Sequence, residues 1–153
     1  MQVLTGGCQC GAVRFKCEVV PATASICHCR MCQKAFGSFY APLVHTKRGT
    51  LVWTKAEPKR FRSSNVALRG FCPDCGTPLT YEVEPEISIA IGALDDPDAV
   101  VPLRQDGIEG KLAYIDGVSS LPGMTTVDDP EFAAFAETIV SYQHPDAPSM
   151  DET

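Results

Sequence analysis

Cys27-His28-Cys29-Arg30-Met31-Cys32 places three thiols within six residues, spaced CxCxxC. Two further pairs stand apart from it, Cys8-Gln9-Cys10 and Cys72-Pro73-Asp74-Cys75. Thiols two or three residues apart suit one metal ion, because a short turn can aim both sulfurs at it. The two outer pairs add up to a closed four-cysteine site: Cys8, Cys10, Cys72 and Cys75. The expected ion is zinc, with a rubredoxin-like iron as the alternative. The triplet supplies only three ligands. A structural zinc has four protein ligands, whereas a catalytic zinc has three and an open position. Cys27, Cys29 and Cys32 are therefore expected to hold a second, catalytic zinc. It would bind a water or a substrate thiol. Two other readings stay open: a closed site completed by Cys17, His28 or His45, and metal-free thiol redox chemistry. His45 is the better fourth ligand of the three, since His28 sits between two ligands and its ring is expected to point away.

These residues need elements to hold them. Gly6, Gly7 and Gly11 around the first pair and Gly76 after the third fit tight metal knuckles. Ala12–Val20 alternates, with Val13, Phe15, Cys17 and Val19 on one face, and predicts a half-buried strand. Cys17, the eighth cysteine, is expected to be a small core residue. Met31–Phe36 predicts a short helix stopping near Gly37. Its positive end would favour the thiolate form of the triplet. Phe39–Val44, Thr50–Thr54, Thr80–Val83 and Ile87–Leu94 predict strands. Lys111–Ile115 is one more, while Pro102–Gly110 shows no pattern. Asp129-Pro130 reads as the start of a helix over 131–140, with Phe132, Phe135, Ala136 and Ile139 forming a face expected to pack on the sheet.

At 153 residues, with twelve Gly and twelve Pro, the chain reads as one mainly β domain over 1–142 followed by a flexible tail, 143–153. The N-terminus MQVLTGGCQC shows no export signal and no stretch is long enough to span a membrane. The thiols are thus expected in a reducing cytoplasm, where metal binding is favoured over disulfides. Residues 1–70 carry eleven Lys/Arg against two Asp/Glu, and residues 71–153 carry two against seventeen. The acidic second half argues against a nucleic-acid groove along the chain. The basic first half, which contains the triplet, suits a small anionic substrate. Arg30, Lys34, Arg60 and Arg62 are the cations expected to hold its carboxylates, Arg60 and Arg62 from a basic edge strand at 59–63. No phosphate loop, GxGxxG, nucleophile elbow or HExxH is present.

Three stretches carry a family resemblance: GGCQCGAVRF (6–15), CHCRMCQKAFGS (27–38) and LRGFCPDCGTPLTYE (68–82). They resemble the glutathione-dependent formaldehyde-activating enzymes, a family that also includes centromere protein V. All seven paired or tripled cysteines stand in that family's order and spacing. The resemblance implies a β-tent fold, a structural zinc on Cys8, Cys10, Cys72 and Cys75, and a catalytic zinc on Cys27, Cys29 and Cys32. It implies carbon–sulfur bond making and breaking, with glutathione added to formaldehyde as a substrate rather than held as a cofactor. The family often carries a His and a Trp where this chain reads DGIEGKLAYIDG (106–117), with Tyr114 at the Trp position. A non-enzymatic zinc module and an aldehyde-sensing thiol protein are the alternatives.

Overall fold

The computed structural model describes residues 2–147. Among them, ten strands form two sheets. β1 (Val3–Gly7), β2 (Arg14–Glu18) and β5 (Val52–Trp53) make a small antiparallel sheet in the order β1-β2-β5. The larger sheet has seven strands. These are β3 (Ser25–Cys27), β4 (Ala41–His45), β6 (Lys59–Arg62), β7 (Leu68–Phe71), β8 (Pro78–Val83), β9 (Glu86–Ala90) and β10 (Arg104–Asp106). Their order is β10-β3-β4-β9-β8-β7-β6, antiparallel except for the β10–β3 edge. The fold is mainly β, as the turn-rich composition predicts. No helix among the described residues is long and apolar enough to cross a membrane.

The core lies where the small sheet meets the large one. Val13, Phe15, Cys17 and Val19 are all buried and pack with Val44, Leu79 and Ile89 from the large sheet. The alternation in β2 thus reports its true inner face. Cys17 is a core residue with 1% exposure, and burial pushes its thiol up to about 12. Only the thiolate attacks alkylating reagents. Iodoacetamide at neutral pH should therefore label Cys17 only after denaturation, read by peptide mass spectrometry. Labelling in the folded protein at the rate of an exposed thiol would refute this placement.

One ion pair fastens the edge of the core. Arg14, 2% exposed, meets Asp95 through two hydrogen bonds of 2.8 and 2.6 Å, and Thr5 Oγ1 donates to the same carboxylate. Beside it, Gly6 leaves no room for a side chain: a Cβ would stand 2.3 Å from the Ala93 carbonyl.

α1 (Arg30–Phe36) follows β3 and ends at Gly37, whose φ of 56° is the left-handed stop that the sequence predicts. α2 (Pro130–Ala136) begins where expected, with Asp129 Oδ1 accepting from Glu131 and Phe132 N–H groups. The packing expected of it is corrected. α2 has no buried residue, and Phe132, Phe135 and Ile139 are 50–59% exposed. Helical periodicity defines an apolar face but says nothing about what covers it. Lys111–Ile115 is also corrected: it forms turns leading into a 3-10 segment at Ile115–Ser120, with no strand. Ile87–Leu94 is split, because β9 stops at Ala90 and a 3-10 turn takes over. Of the stretch from 143, the His144 N–H donates to the Gln9 carbonyl at 2.7 Å, and the Ala147 carbonyl accepts from Arg14. Residues 148–153 lie outside the described residues.

Candidate metal centres

Cys8 and Cys10 leave the end of β1, and Cys72 and Cys75 occupy the turn between β7 and β8. The four sulfurs lie within 4.8 Å of one another. Cys8 and Cys10 sulfurs are 3.5 Å apart, and Cys10 and Cys72 sulfurs 3.8 Å. Thiolates around a tetrahedral zinc stand about 3.8 Å apart, given Zn–S bonds of about 2.3 Å, so the set fits such an ion. Backbone shapes both knuckles. Gly11 and Gly76 take positive φ of 76° and 79°, and Gly76 N–H closes its turn on the Cys72 carbonyl at 2.9 Å. Val13 N–H points at Cys8 Sγ from 3.2 Å. Cys72 is fully buried, which pushes its thiol up to about 12. Burial also acts on Cys75, but hydrogen bonds from the Thr77 hydroxyl and N–H outweigh it and lower its thiol to about 6. A buried thiol such as Cys72 becomes a thiolate only when a cation joins it.

The second cluster is built from β3 and α1. Cys27 is the last residue of β3, Cys29 is the N-cap of α1, and Cys32 lies in its first turn. Their sulfurs again lie within 4.8 Å of one another. Cys29 Sγ accepts from the Cys32 N–H at 3.5 Å, so one sulfur both caps the helix and faces the cluster. Burial pushes the Cys27 thiol up to about 12. Burial raises Cys29 as well, yet the Cys32 and Met31 N–H groups and its neighbouring thiols leave it lowered. This donor set also fits a thiophilic ion. No fourth His, Cys, Asp or Glu joins it among the described residues. Of the three proposed fourth ligands, Cys17 is in the core, and His28 Nε2 meets Gln105 Oε1 at 2.9 Å. His45 lines the cavity over the cluster without joining it.

That cavity measures about 180 Å³ and is bounded by all three cysteines together with His45, Arg69, Tyr81 and Arg104. None of the four cations expected from sequence lines it. Arg30 and Lys34 stand on α1 over a separate groove, with Phe39 and Tyr114. Arg60, on edge strand β6, donates to both oxygens of Glu82 at 3.0 Å and to Glu57. Arg62 donates to the Asn65 carbonyl. The chain's own acceptors thus occupy both arginines of the basic edge.

Sequence reasoning missed the wall beside the triplet. β10 runs parallel to β3, bringing Asp106 opposite Cys27, and its carbonyl accepts from His28 N–H at 2.9 Å. A Cβ on Gly107 would meet Cys29 N at 3.1 Å, and one on Gly110 would meet the His28 carbonyl at 2.9 Å. Gln33, 3% exposed on α1, donates to the His28 and Gly110 carbonyls, both at 2.9 Å. It ties the ligand knuckle to the loop that covers it. The two glycines, Gly107 and Gly110, were the available signal. Gln33→Leu should weaken metal binding at the triplet about ten- to a hundredfold, as loss of an outer hydrogen bond does. Chelator competition checks this, and an unchanged affinity would count against it.

Comparison with known proteins bears on the same residues. The family model described as glutathione-dependent formaldehyde-activating enzyme matches residues 3–106. The chain belongs to this family. The match runs from β1 to the end of β10 and so includes every cysteine of both clusters. A Schizosaccharomyces pombe protein named as an uncharacterized lyase is 30% identical over 76 residues, which is 50% of this chain and 55% of that one. The chain thus spans about half the length of that curated relative. A crystal structure of a Rhodobacter sphaeroides protein superposes with a TM-score of 0.55 at 20% identity, covering 67% of this chain and 99% of that one. That likeness shows the shared fold of the formaldehyde-activating family member described here and its neighbour.

Proposed function

We propose that the protein is a zinc-dependent carbon–sulfur lyase acting on adducts of a small thiol with an aldehyde, glutathione and formaldehyde being the reference pair. One observation carries this reading. Cys27, Cys29 and Cys32 converge without a fourth His, Cys, Asp or Glu among the described residues, and they open into a cavity. Family membership and the lyase name of the yeast relative support it. Two zinc ions per chain are expected, the other on Cys8, Cys10, Cys72 and Cys75. A zinc ion held by the triplet supplies a Lewis acid that lowers the pKa of a thiol entering the cavity.

The addition forms one carbon–sulfur bond and opens the carbonyl π bond. The thiol proton ends on the former carbonyl oxygen, giving a hemithioacetal, and the reverse reaction returns thiol and aldehyde. This chain's part is to position and to shuttle. The α1 N-terminus fixes Cys29 and Cys32, and β3 fixes Cys27. His45 lines the cavity, and imidazole is the commonest proton carrier in such a role. Two cations line the cavity in place of the four expected from sequence: Arg104, which donates to Asp106, and Arg69, which has no carboxylate partner among the described residues.

The test is the rate at which glutathione and formaldehyde equilibrate with purified, zinc-loaded protein, followed by NMR exchange. Acceleration that scales with protein concentration is expected. An unchanged rate with that pair, and with small thiols in its place, would overturn the lyase reading in favour of a non-enzymatic zinc module.

A further inference from the structure

Arg69 is an unusual cation for a protein interior. It is 4% exposed, and no carboxylate pairs with it among the described residues. Its Nε donates to Ser63 Oγ at 2.9 Å, its Nη2 donates to Cys32 Sγ at 3.4 Å, and its guanidinium lies 4.6 Å from the Tyr81 ring centroid. Its Nη1 is buried with no hydrogen-bond partner among the described residues. Burying a charged donor without an acceptor is costly, so an arginine held this way is poised for an anion. Cys32 Sγ meets part of that demand through Nη2. It leaves Nη1 with hydrogens to give. Arg69 lines the same cavity that opens over the triplet, so whatever binds at the thiolates binds next to it. Two features narrow the ligand. At about 180 Å³ the cavity is compact, and His45 adds a further nitrogen donor to its wall. Arg104 is already paired with the Asp106 carboxylate that lines the cavity too, which leaves Arg69 as the cavity cation without a carboxylate among the described residues.

We infer that Arg69 forms an anion subsite beside the cysteine triplet, and that it selects a compact thiol bearing a carboxylate close to the sulfur. The inference deepens the thiol-binding reading above and rests on it. Such a thiol would place its sulfur at the cluster and its carboxylate against the Arg69 guanidinium, in the charge-assisted contact that this group makes best. Glutathione carries its nearest carboxylate a peptide unit away from the sulfur. A short mercapto acid, or its aldehyde adduct, is the better match to this spacing.

The experiment uses protein loaded with cobalt(II), whose visible spectrum reports a new ligand at the open site. It is titrated with mercaptopropionate and with the matching alcohol, mercaptopropanol. In the wild type the acid should bind at least about tenfold more tightly than the alcohol, the usual worth of a hydrogen bond to a charged group. In Arg69→Met the two should bind within about twofold of each other. Arg69→Lys, which keeps the charge but not the planar fork, guards against a Met variant that fails to fold. Its preference should fall to about threefold. A preference undiminished in either variant would mean that the carboxylate binds the metal or another group, and would overturn the proposal. Equal binding of acid and alcohol by the wild type would overturn it as well, while leaving thiol binding intact. A wild-type spectrum that neither thiol changes would instead overturn the thiol-binding reading, and the subsite with it.

Discussion

Replacing Cys72 by Ser should remove one metal ion per chain and lower the melting temperature by at least about 10 °C. Cys72 is fully buried, and its partners Cys8 and Cys10 come from the other sheet. An ion held there joins the β1–β2 corner to the β7–β8 turn, two segments with no strand pairing between them. Structural zinc contributes about 10–16 kcal/mol of apparent binding energy in small domains. That is as large as the whole stability of a typical domain, about 5–15 kcal/mol. A serine hydroxyl does not replace the thiolate and leaves a polar group where the core expects a sulfur. Elemental analysis with a thermal melt would check the expectation. A variant that melts within about 2 °C of wild type would show that the four-cysteine site is not what holds the sheets together.

Cys29→Ser should have the opposite profile: a fold close to wild type, one metal ion lost, and the proposed carbon–sulfur activity reduced at least about a hundredfold. The reason lies in the double duty of Cys29. Its sulfur caps α1 by accepting from Cys32 N–H, and it belongs to the triplet. Serine is among the best N-cap residues, so the capping survives. What the substitution removes is a thiolate ligand, and an incomplete set of two thiolates no longer fixes an ion in an open geometry. Metal content, a melt and the equilibration rate, measured on one preparation, separate the two roles. Wild-type activity in a variant with one ion per chain would take the triplet out of the chemistry. A collapse in stability comparable to that of Cys72→Ser would make it a structural site.

Much of both candidate metal centres was legible because the cysteines are close neighbours in sequence. CxC and CxxC spacings constrain sulfur separation through a few backbone angles, whatever the rest of the chain does. The same holds for β2, whose alternation marks its buried face, and for α1, whose end is set locally by Gly37. Local signals failed where a long-range partner decides. β10 is three residues long and pairs in parallel with β3, far away in sequence, so it leaves no periodicity to read. The apolar face of α2 shows the limit from the other side, since the period is correct and the expected packing is missing.

The cations make the division clearest. Arg60, Arg62 and Arg69 are near neighbours in sequence, and composition treats them alike. Edge strand β6 turns Arg60 toward Glu82 and Glu57, whereas β7 carries Arg69 into the interior against Cys32 and Tyr81. Sequence alone determined the seven sulfurs and their grouping into four and three, two sets that could each hold a metal ion. Which charge stands over the open cluster was decided only by tertiary structure. Strand order and register choose the side of a sheet on which a residue points, and no local pattern encodes that choice.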